Sequence, residues 1–222
     1  MNGKECGHLE LVFGPMWSSK SKYLALKISK YSDLGMRCLL INHTFDARKD
    51  SSDTEDDGTF SQHGSSSFQL SPAIHRLKVS DLRKVDVSDY DAVAIDECQF
   101  FGKELLEEVP EWVKELHKVV ICAGLDGDAE GNMFGYLLYL IPHSDEAKKV
   151  LAQCTVCLDV LKRTGFRGIG AIQANAPFTA LITDVHKEKD IESQIHVGGS
   201  ESYTAMCRYH HQQHLKKSSL LK

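Results

Sequence analysis

Four groups of residues in this chain have the types and spacing to do chemistry. The first is Gly14-Pro15-Met16-Trp17-Ser18-Ser19-Lys20-Ser21, which follows a short apolar run. Set beside G-x-x-x-x-G-K-[ST], it supplies the first Gly (Gly14), the Lys (Lys20) and the hydroxyl (Ser21) of a phosphate-binding loop, with Ser19 where the second Gly would stand. Such a loop aims backbone N–H groups at a phosphate on a helix N-terminus, Lys20 adds a positive donor, and Ser21 can ligate Mg²⁺. If position 19 requires positive φ, a side chain there costs about 1–2 kcal/mol. If only close approach is required, a small Ser fits. An ordinary strand-to-helix turn containing Lys-Ser is the competing reading, and the loop alone does not decide between them.

The second group is Asp96-Glu97, at the end of the apolar run Ala92-Val93-Ala94-Ile95. A carboxylate at the carboxyl end of a buried strand is where phosphate-loop folds hold Mg²⁺. Neighbouring side chains at a strand end point in different directions, so Asp96 suits the metal and Glu97 suits a general base for a substrate hydroxyl. The third group, Asp46-Ala47-Arg48, follows another apolar run, Cys38-Leu39-Leu40-Ile41. There Arg48 could meet charge developing on a transferred phosphoryl group. Taken alone, a solvated strand terminus and a surface arginine account for these two groups as well.

The fourth group pairs Cys154-x-x-Cys157 with Cys207-x-x-His210. Four such ligands at knuckle spacing suit a closed tetrahedral Zn²⁺ site, which leaves no open position and is therefore structural. His211 competes with His210 for the fourth place. The other cysteines, Cys6, Cys38, Cys98 and Cys122, lie in or beside apolar runs and read as packing residues.

The elements that must position these groups follow from periodicity. Leu9 to Phe13 reads as a buried strand, and the helical spacing of Leu24, Ile28, Tyr31 and Leu34 ends at Gly35, a plausible C′ residue. Strand, glycine turn, helix and the strand Cys38 to Ile41 make a right-handed βαβ unit. A short helix is expected around Ser80-Asp81-Leu82. Ala92 to Ile95 is a third strand, Lys103 to His117 a helix interrupted or initiated by Pro110, and Val119 to Ala123 a fourth strand. Residues 50–67 are Ser- and carboxylate-rich and read as a mobile surface loop. Four apolar strands alternating with helices make an α/β core. The expected layout is a phosphate-loop (RecA-like) parallel-sheet domain over 1–150, a small zinc-binding module over 151–213 with a β-like run Thr179 to Thr183, and a flexible tail over 214–222.

Composition excludes some classes. A chain of 222 residues can build one sizeable core, and its net charge of -5 gives no electrostatic footprint for nucleic acid. No apolar run nears the roughly 20 residues that span a bilayer, and Met1-Asn2-Gly3-Lys4-Glu5 does not begin a signal peptide. A cytoplasmic location is expected, and seven cysteines, an odd number unevenly spread, argue against a disulfide framework.

Together these motifs resemble the type II (cytosolic) thymidine kinases. The family's Gly-Pro-Met-Phe-Ser-Gly-Lys-Ser is similar to Gly14 to Ser21, and its Asp-Glu-Gly-Gln-Phe-Phe to Asp96-Glu97-Cys98-Gln99-Phe100-Phe101. Its Leu-Asp-Gly turn resembles Leu125-Asp126-Gly127, and a later Phe-Gly resembles Phe134-Gly135. The glycine–acid–tyrosine–cysteine–arginine signature resembles Gly199 to His210, with His accepted as the last ligand.

The resemblance implies transfer of the γ-phosphoryl group of ATP to the 5′-hydroxyl of thymidine, with deoxyuridine accepted, in nucleotide salvage for DNA synthesis. It implies Glu97 as the base, Arg48 assisting at the hydroxyl, and Lys20 with residues 14–21 on the ATP phosphates. Asp46, Asp96 and Gln99 belong to the ATP–Mg²⁺ side. Met16, Phe100, Leu125 and Phe134 wall the thymine ring. Tyr203 and Gln194-Ile195-His196-Val197-Gly198 form a lasso that closes over the base and is anchored by structural Zn²⁺. The family is also similar in forming homotetramers inhibited by the end-product triphosphate.

The departures are Ser19 and Cys98 in place of Gly, Ala129 in place of an aromatic, and a longer interval between Cys157 and Cys207 in which residues 166–183 form an apparent insertion. The His-Asp-Arg element is reduced to His63-Gly64-Ser65. Ala129 and the longer lasso keep open a broader deoxynucleoside kinase, and Ser19 keeps open a non-catalytic nucleotide-binding homologue.

Overall fold

The computed structural model describes residues 6–45, 59–60, 68–165, 174–182 and 202–220. The chain divides into two compact units: one of residues 1–13, 20–124 and 135–148, the other of 14–19, 125–134 and 149–222.

The first unit is built on a six-stranded sheet. Its strands are β1 (His8–Phe13), β2 (Cys38–His43), β5 (Ile74–Val79), β6 (Ala92–Ile95), β7 (Val119–Gly124) and β8 (Glu146–Lys149), in the order β5-β2-β6-β7-β1-β8. Two two-residue strands, β3 (Thr59–Phe60) and β4 (Phe68–Gln69), pair antiparallel apart from it. The pairs β1–β7, β6–β7, β2–β6 and β2–β5 are all parallel. The central strands are largely apolar, Glu10 of β1 being an exception, because both faces of a parallel sheet are covered. Leu9, Leu11, Ile41, Val93, Ile95 and Val120 are at most 2% exposed, and burying each such side chain contributes about 1.5–3 kcal/mol.

Helix α1 (Lys20–Asp33) buries Leu24, Ala25 and Ile28, neighbours at helical spacing. It stops at Gly35, whose φ of +84° and N–H bond to Ser32 O close the helix end. Within the sheet Glu10 is buried on β1, where it accepts from Tyr23 Oη and from Lys27 Nζ at 2.9 Å. Helix α2 (Glu104–Lys114) runs through Pro110 without a break. The lost hydrogen bond at the proline is offset by the buried face of Leu105, Val109 and Trp112. The short helix expected near Asp81 is a 3₁₀ turn, Leu82–Lys84, capped by Asp81 Oδ1 accepting from Arg83 N.

The edge strands β5 and β8 add two members to the four strands expected. Their side chains are largely exposed, so neither carries the apolar run that betrays a buried strand.

The second unit pairs β9 (Ala152–Gln153) with β10 (Asn175–Ala176) and β11 (Phe178–Leu181) with β12 (Tyr203–Met206), both antiparallel. Among the described residues it also holds two helices, α3 (Thr155–Thr164) and α4 (Arg208–Leu220). Its core is small-residued: Ala152, Cys154, Ala176, Ala180, Ala205 and Met206, with Trp17 packed on them. The tail expected from residue 214 is instead helical to Leu220, held where His214 Nε2 donates to Leu181 O at 2.7 Å. Its polar sequence has no apolar stripe from which a helix could be read.

Candidate functional site

In the first unit, Lys20 and Ser21 open α1 just beyond β1, and Asp96, Glu97 and Gln99 follow β6, so all five stand at carboxyl ends of parallel strands. This is where open α/β sheets bind ligands. Lys20, Asp96 and Gln99 are 8%, 1% and 3% exposed. Charged groups are rarely buried so deeply unless partnered.

Asp96 Oδ1 accepts from the N–H of Glu97 at 3.0 Å. Glu97 itself stands at φ 53°, ψ 42°, a left-handed backbone that a non-Gly residue holds at a cost of about 1–3 kcal/mol. That turn directs the Glu97 carboxylate back to the Gln99 side chain, where Nε2 donates to Oε2 at 2.6 Å. The backbone of Gln99 is backed by Gly135, at φ +64°, where any Cβ would lie 2.5 Å from Gln99 O. A hydrogen bond to a carboxylate oxygen fixes the rotamer of that side chain.

Cys98, in place of the family's Gly, points the other way. It is fully buried in the main core and its Sγ donates to Ile95 O at 3.3 Å. Burial, then the neighbouring Cys122, pushes its thiol well above the ordinary range. It is a packing residue next to Glu97. Phe100 belongs to an aromatic group with Phe45, Phe101 and the 3%-exposed His43, whose Nδ1 accepts from Phe45 N. His43 was absent from the motif reading, because a lone histidine in a strand carries no spacing signal.

In the second unit, Gly14 meets a strict requirement for glycine: a Cβ there would lie 2.1 Å from Val150 O. Ser18 Oγ donates to Pro15 O at 2.8 Å, and the N–H of Met16 donates to Thr179 Oγ1 at 3.0 Å. Thr179 thus holds the 14–19 segment, a contact that no local pattern marks because its partner is 163 residues away. Ser19 has φ +62° and Trp17 φ +67°, so position 19 does take the left-handed backbone for which the motif specifies Gly. The loop keeps that geometry with Ser in place.

The four knuckle residues converge. The ligand atoms of Cys154, Cys157, Cys207 and His210 all lie within 4.8 Å of one another. His210 Nδ1 is 3.4 Å from Cys154 Sγ, 3.4 Å from Cys157 Sγ and 3.2 Å from Cys207 Sγ, and the Cys157 and Cys207 sulfurs are 3.9 Å apart. Ligands about 2.3 Å (S) and 2.0 Å (N) from a tetrahedral Zn²⁺ would be separated by nearly these distances. The donor set and its spacing therefore fit zinc. Burial acts against ionisation of Cys154, but donation from the Cys207 and Cys157 backbone and from His210 brings its thiol down to about 7. Burial and the Cys154 thiol push Cys157 up to about 12. His211 is not part of this cluster: its ring stacks on Phe178 and its Nε2 meets Ala129 O at 2.9 Å.

Leu125, Phe134 and Tyr203 also lie in the second unit, Phe134 buried and the other two half-buried. Burial raises the Tyr203 phenol above its usual range. Asp46, Arg48, Gln194, Ile195, His196, Val197, Gly198 and the His63-Gly64-Ser65 element lie outside the described residues.

Comparison with known proteins bears on the same stretch. The family model described as "Thymidine kinase" matches residues 7–211. A thymidine kinase of Amsacta moorei entomopoxvirus is 29% identical over 201 residues, covering 90% of this chain and 95% of the viral protein. The thymidine kinase of vaccinia virus (strain Ankara) is 29% identical over 208 residues, 94% of this chain and 97% of its own length. A bovine protein named "Thymidine kinase, cytosolic" is 28% identical over 206 residues, 92% of this chain and 72% of its own.

Proposed function

Because the chain belongs to the thymidine kinase family, we propose a division of labour among its residues for that family's reaction. The chain is an ATP-dependent kinase that phosphorylates thymidine. Glu97 takes the proton from the 5′-hydroxyl as that oxygen attacks the γ-phosphorus, and Gln99 holds the Glu97 carboxylate in place. Lys20 and the amides of 14–21 receive the charge on the transferred group. Asp96, with Ser21 and Asp46, would hold Mg²⁺, which would supply positive charge to offset that of the phosphates. Arg48 assists at the acceptor hydroxyl. Met16, Phe100, Leu125 and Phe134 pack against the thymine ring, and Tyr203 with residues 194–198 covers it.

The observation that carries this reading is the Asp96–Glu97–Gln99 chain of hydrogen bonds at the carboxyl end of β6. It gives two adjacent carboxylates separate settings, as metal association and base catalysis require. The left-handed backbone at Ser19 supports a working loop, since the motif's geometry survives the loss of its glycine.

The knuckle binds structural Zn²⁺ and anchors the lasso. The protein acts in the cytoplasm as a homotetramer, accepts deoxyuridine, and is inhibited by the end-product triphosphate. Among the described residues no helix is long and apolar enough to cross a membrane. The test is a phosphorylation assay with Mg-ATP on thymidine, deoxyuridine and deoxycytidine. Thymidine monophosphate formed by the wild type and lost in Glu97→Gln is expected, with deoxycytidine rejected. Equal turnover of deoxycytidine would favour a broader deoxynucleoside kinase, and ATP binding without any turnover a non-catalytic homologue.

A further inference from the structure

His211 stands next to the knuckle ligand His210, but a helical residue points about 100° away from its neighbour, and its ring faces a different structure. It is 4% exposed and stacks on Phe178, with ring centroids 4.8 Å apart and planes at 16°. Its Nε2 lies 2.9 Å from Ala129 O. A carbonyl oxygen only accepts, so Nε2 carries the proton and donates. The Ala129 carbonyl belongs to a locally closed turn. Asp128 Oδ1 accepts from Glu130 N at 3.0 Å and from Asn132 N at 2.8 Å, Asp128 N donates to Asn132 O, and Gly127 pairs with Met133. A grip on one carbonyl of such a turn constrains the whole 125–134 segment.

The same ring reaches further. Phe178, on which it stacks, precedes Thr179, the acceptor for the Met16 N–H. His211 N in turn donates to the carbonyl of Cys207, a knuckle residue, at 2.9 Å.

We infer that His211 is a positioning residue that ties the Cys154–Cys157–Cys207–His210 knuckle to the 125–134 segment, so that metal occupancy sets the order of Leu125 and Phe134. With metal bound, the first turn of α4 is fixed and the imidazole holds Ala129 in place. With metal removed, the turn loosens and the segment is released. The consequence for thymidine rests on the proposed base-lining roles of Leu125 and Phe134, whereas the coupling itself does not.

The test compares the full-length wild type with His211→Phe, which keeps a ring over Phe178 but has no donor, and with His211→Gln, which restores one. Hydrogen exchange of segment 125–134 is followed by mass spectrometry before and after chelation, alongside zinc content and separate KM values for thymidine and ATP. In the wild type, chelation is expected to speed exchange of the segment by about tenfold or more. In His211→Phe the segment exchanges fast while about one Zn²⁺ per chain is retained, chelation adds nothing, and KM rises severalfold for thymidine but not for ATP. His211→Gln returns toward wild type.

Segment exchange that ignores chelation in the wild type overturns the inference, and so does full protection in zinc-loaded His211→Phe. Loss of zinc from both variants would make His211 a support of the knuckle itself and overturn it too. If the exchange results hold while no thymidine is phosphorylated, the coupling stands and the assigned reaction fails.

Discussion

The Gln99 side chain donates to Glu97 Oε2 at 2.6 Å, two residues along a turn whose first member has a left-handed backbone. The amide is 3% exposed, so water competes little for that bond. Glu97 is thereby held as an oriented carboxylate, and its removal should act on the chemical step. Glu97→Gln is expected to lower kcat by about 10²–10⁴-fold with little change in either KM. Steady-state kinetics on thymidine and Mg-ATP check this, and an unchanged kcat refutes it. Gln99→Leu should cost less, about tenfold in kcat, the loss of roughly one hydrogen bond to a charged group.

Gly135 backs the same arrangement. A Cβ there meets Gln99 O at 2.5 Å on a backbone at φ +64°, so Gly135→Ala carries both overlap and strain. A loss of about 2–4 kcal/mol in stability is expected, with kcat falling further than stability alone explains. Urea unfolding and kinetics at saturating substrate separate the two effects.

Ser19 offers the reverse experiment. Its φ of +62° costs about 1–2 kcal/mol for a non-Gly residue, while Gly adds about 0.5–1 kcal/mol of unfolded-state entropy. Ser19→Gly should therefore stabilise the fold by a net amount between zero and about 1.5 kcal/mol. A lower melting temperature for that variant would contradict the assigned strain.

The knuckle makes a metal prediction. About one Zn²⁺ per chain should co-purify, and Cys154→Ala should lose it and unfold at lower temperature. Retention of stoichiometric zinc in that variant would show that the ion, if present, is bound elsewhere.

Alkaline pH tests the pair between β1 and α1. The hydrogen bond to Glu10 is the largest influence on Lys27 and raises its ammonium above the ordinary 10.5. Burial and the same carboxylate raise the Tyr23 phenol above 10.0. A group whose pKa is raised on folding contributes stability that is complete below its unfolded value and is lost as pH climbs through the folded one. Stability should hold below about pH 10 and decline above it. In Lys27→Met that alkaline decline should be shallower in thermal melts, and a slope identical to wild type would exclude the pair as its source.

Much of the first unit could be read from the chain because parallel strands buried on both faces leave uninterrupted apolar runs. Ala92–Ile95 and the glycine-ended α1 are visible in that way. The carboxylates at 96 and 97 were legible because a polar pair ends such a run, and the knuckle because ligand spacing survives any fold. Edge strands β5 and β8 were not, since exposed strands lose the apolar signal. Thr179, His43 and His211 were missed for a different reason. Their partners (Met16 for Thr179, Phe100 and Phe101 for His43, Phe178 and Ala129 for His211) are brought to them only by tertiary folding, and neither residue type nor local spacing marks such contacts.

The strand order has a consequence for synthesis on the ribosome. Strand β1, which emerges before the other strands of its sheet, lies between β7 and β8, and His8–Phe13 finds its parallel partner only at Val119–Gly124. Strands β2, β5 and β6 can assemble earlier, whereas the segment leading into the phosphate loop must wait with Leu9, Leu11 and Val12 unpaired. Sheet assembly here inverts the order of the strands in the chain, and β1 is the strand left longest open to premature association.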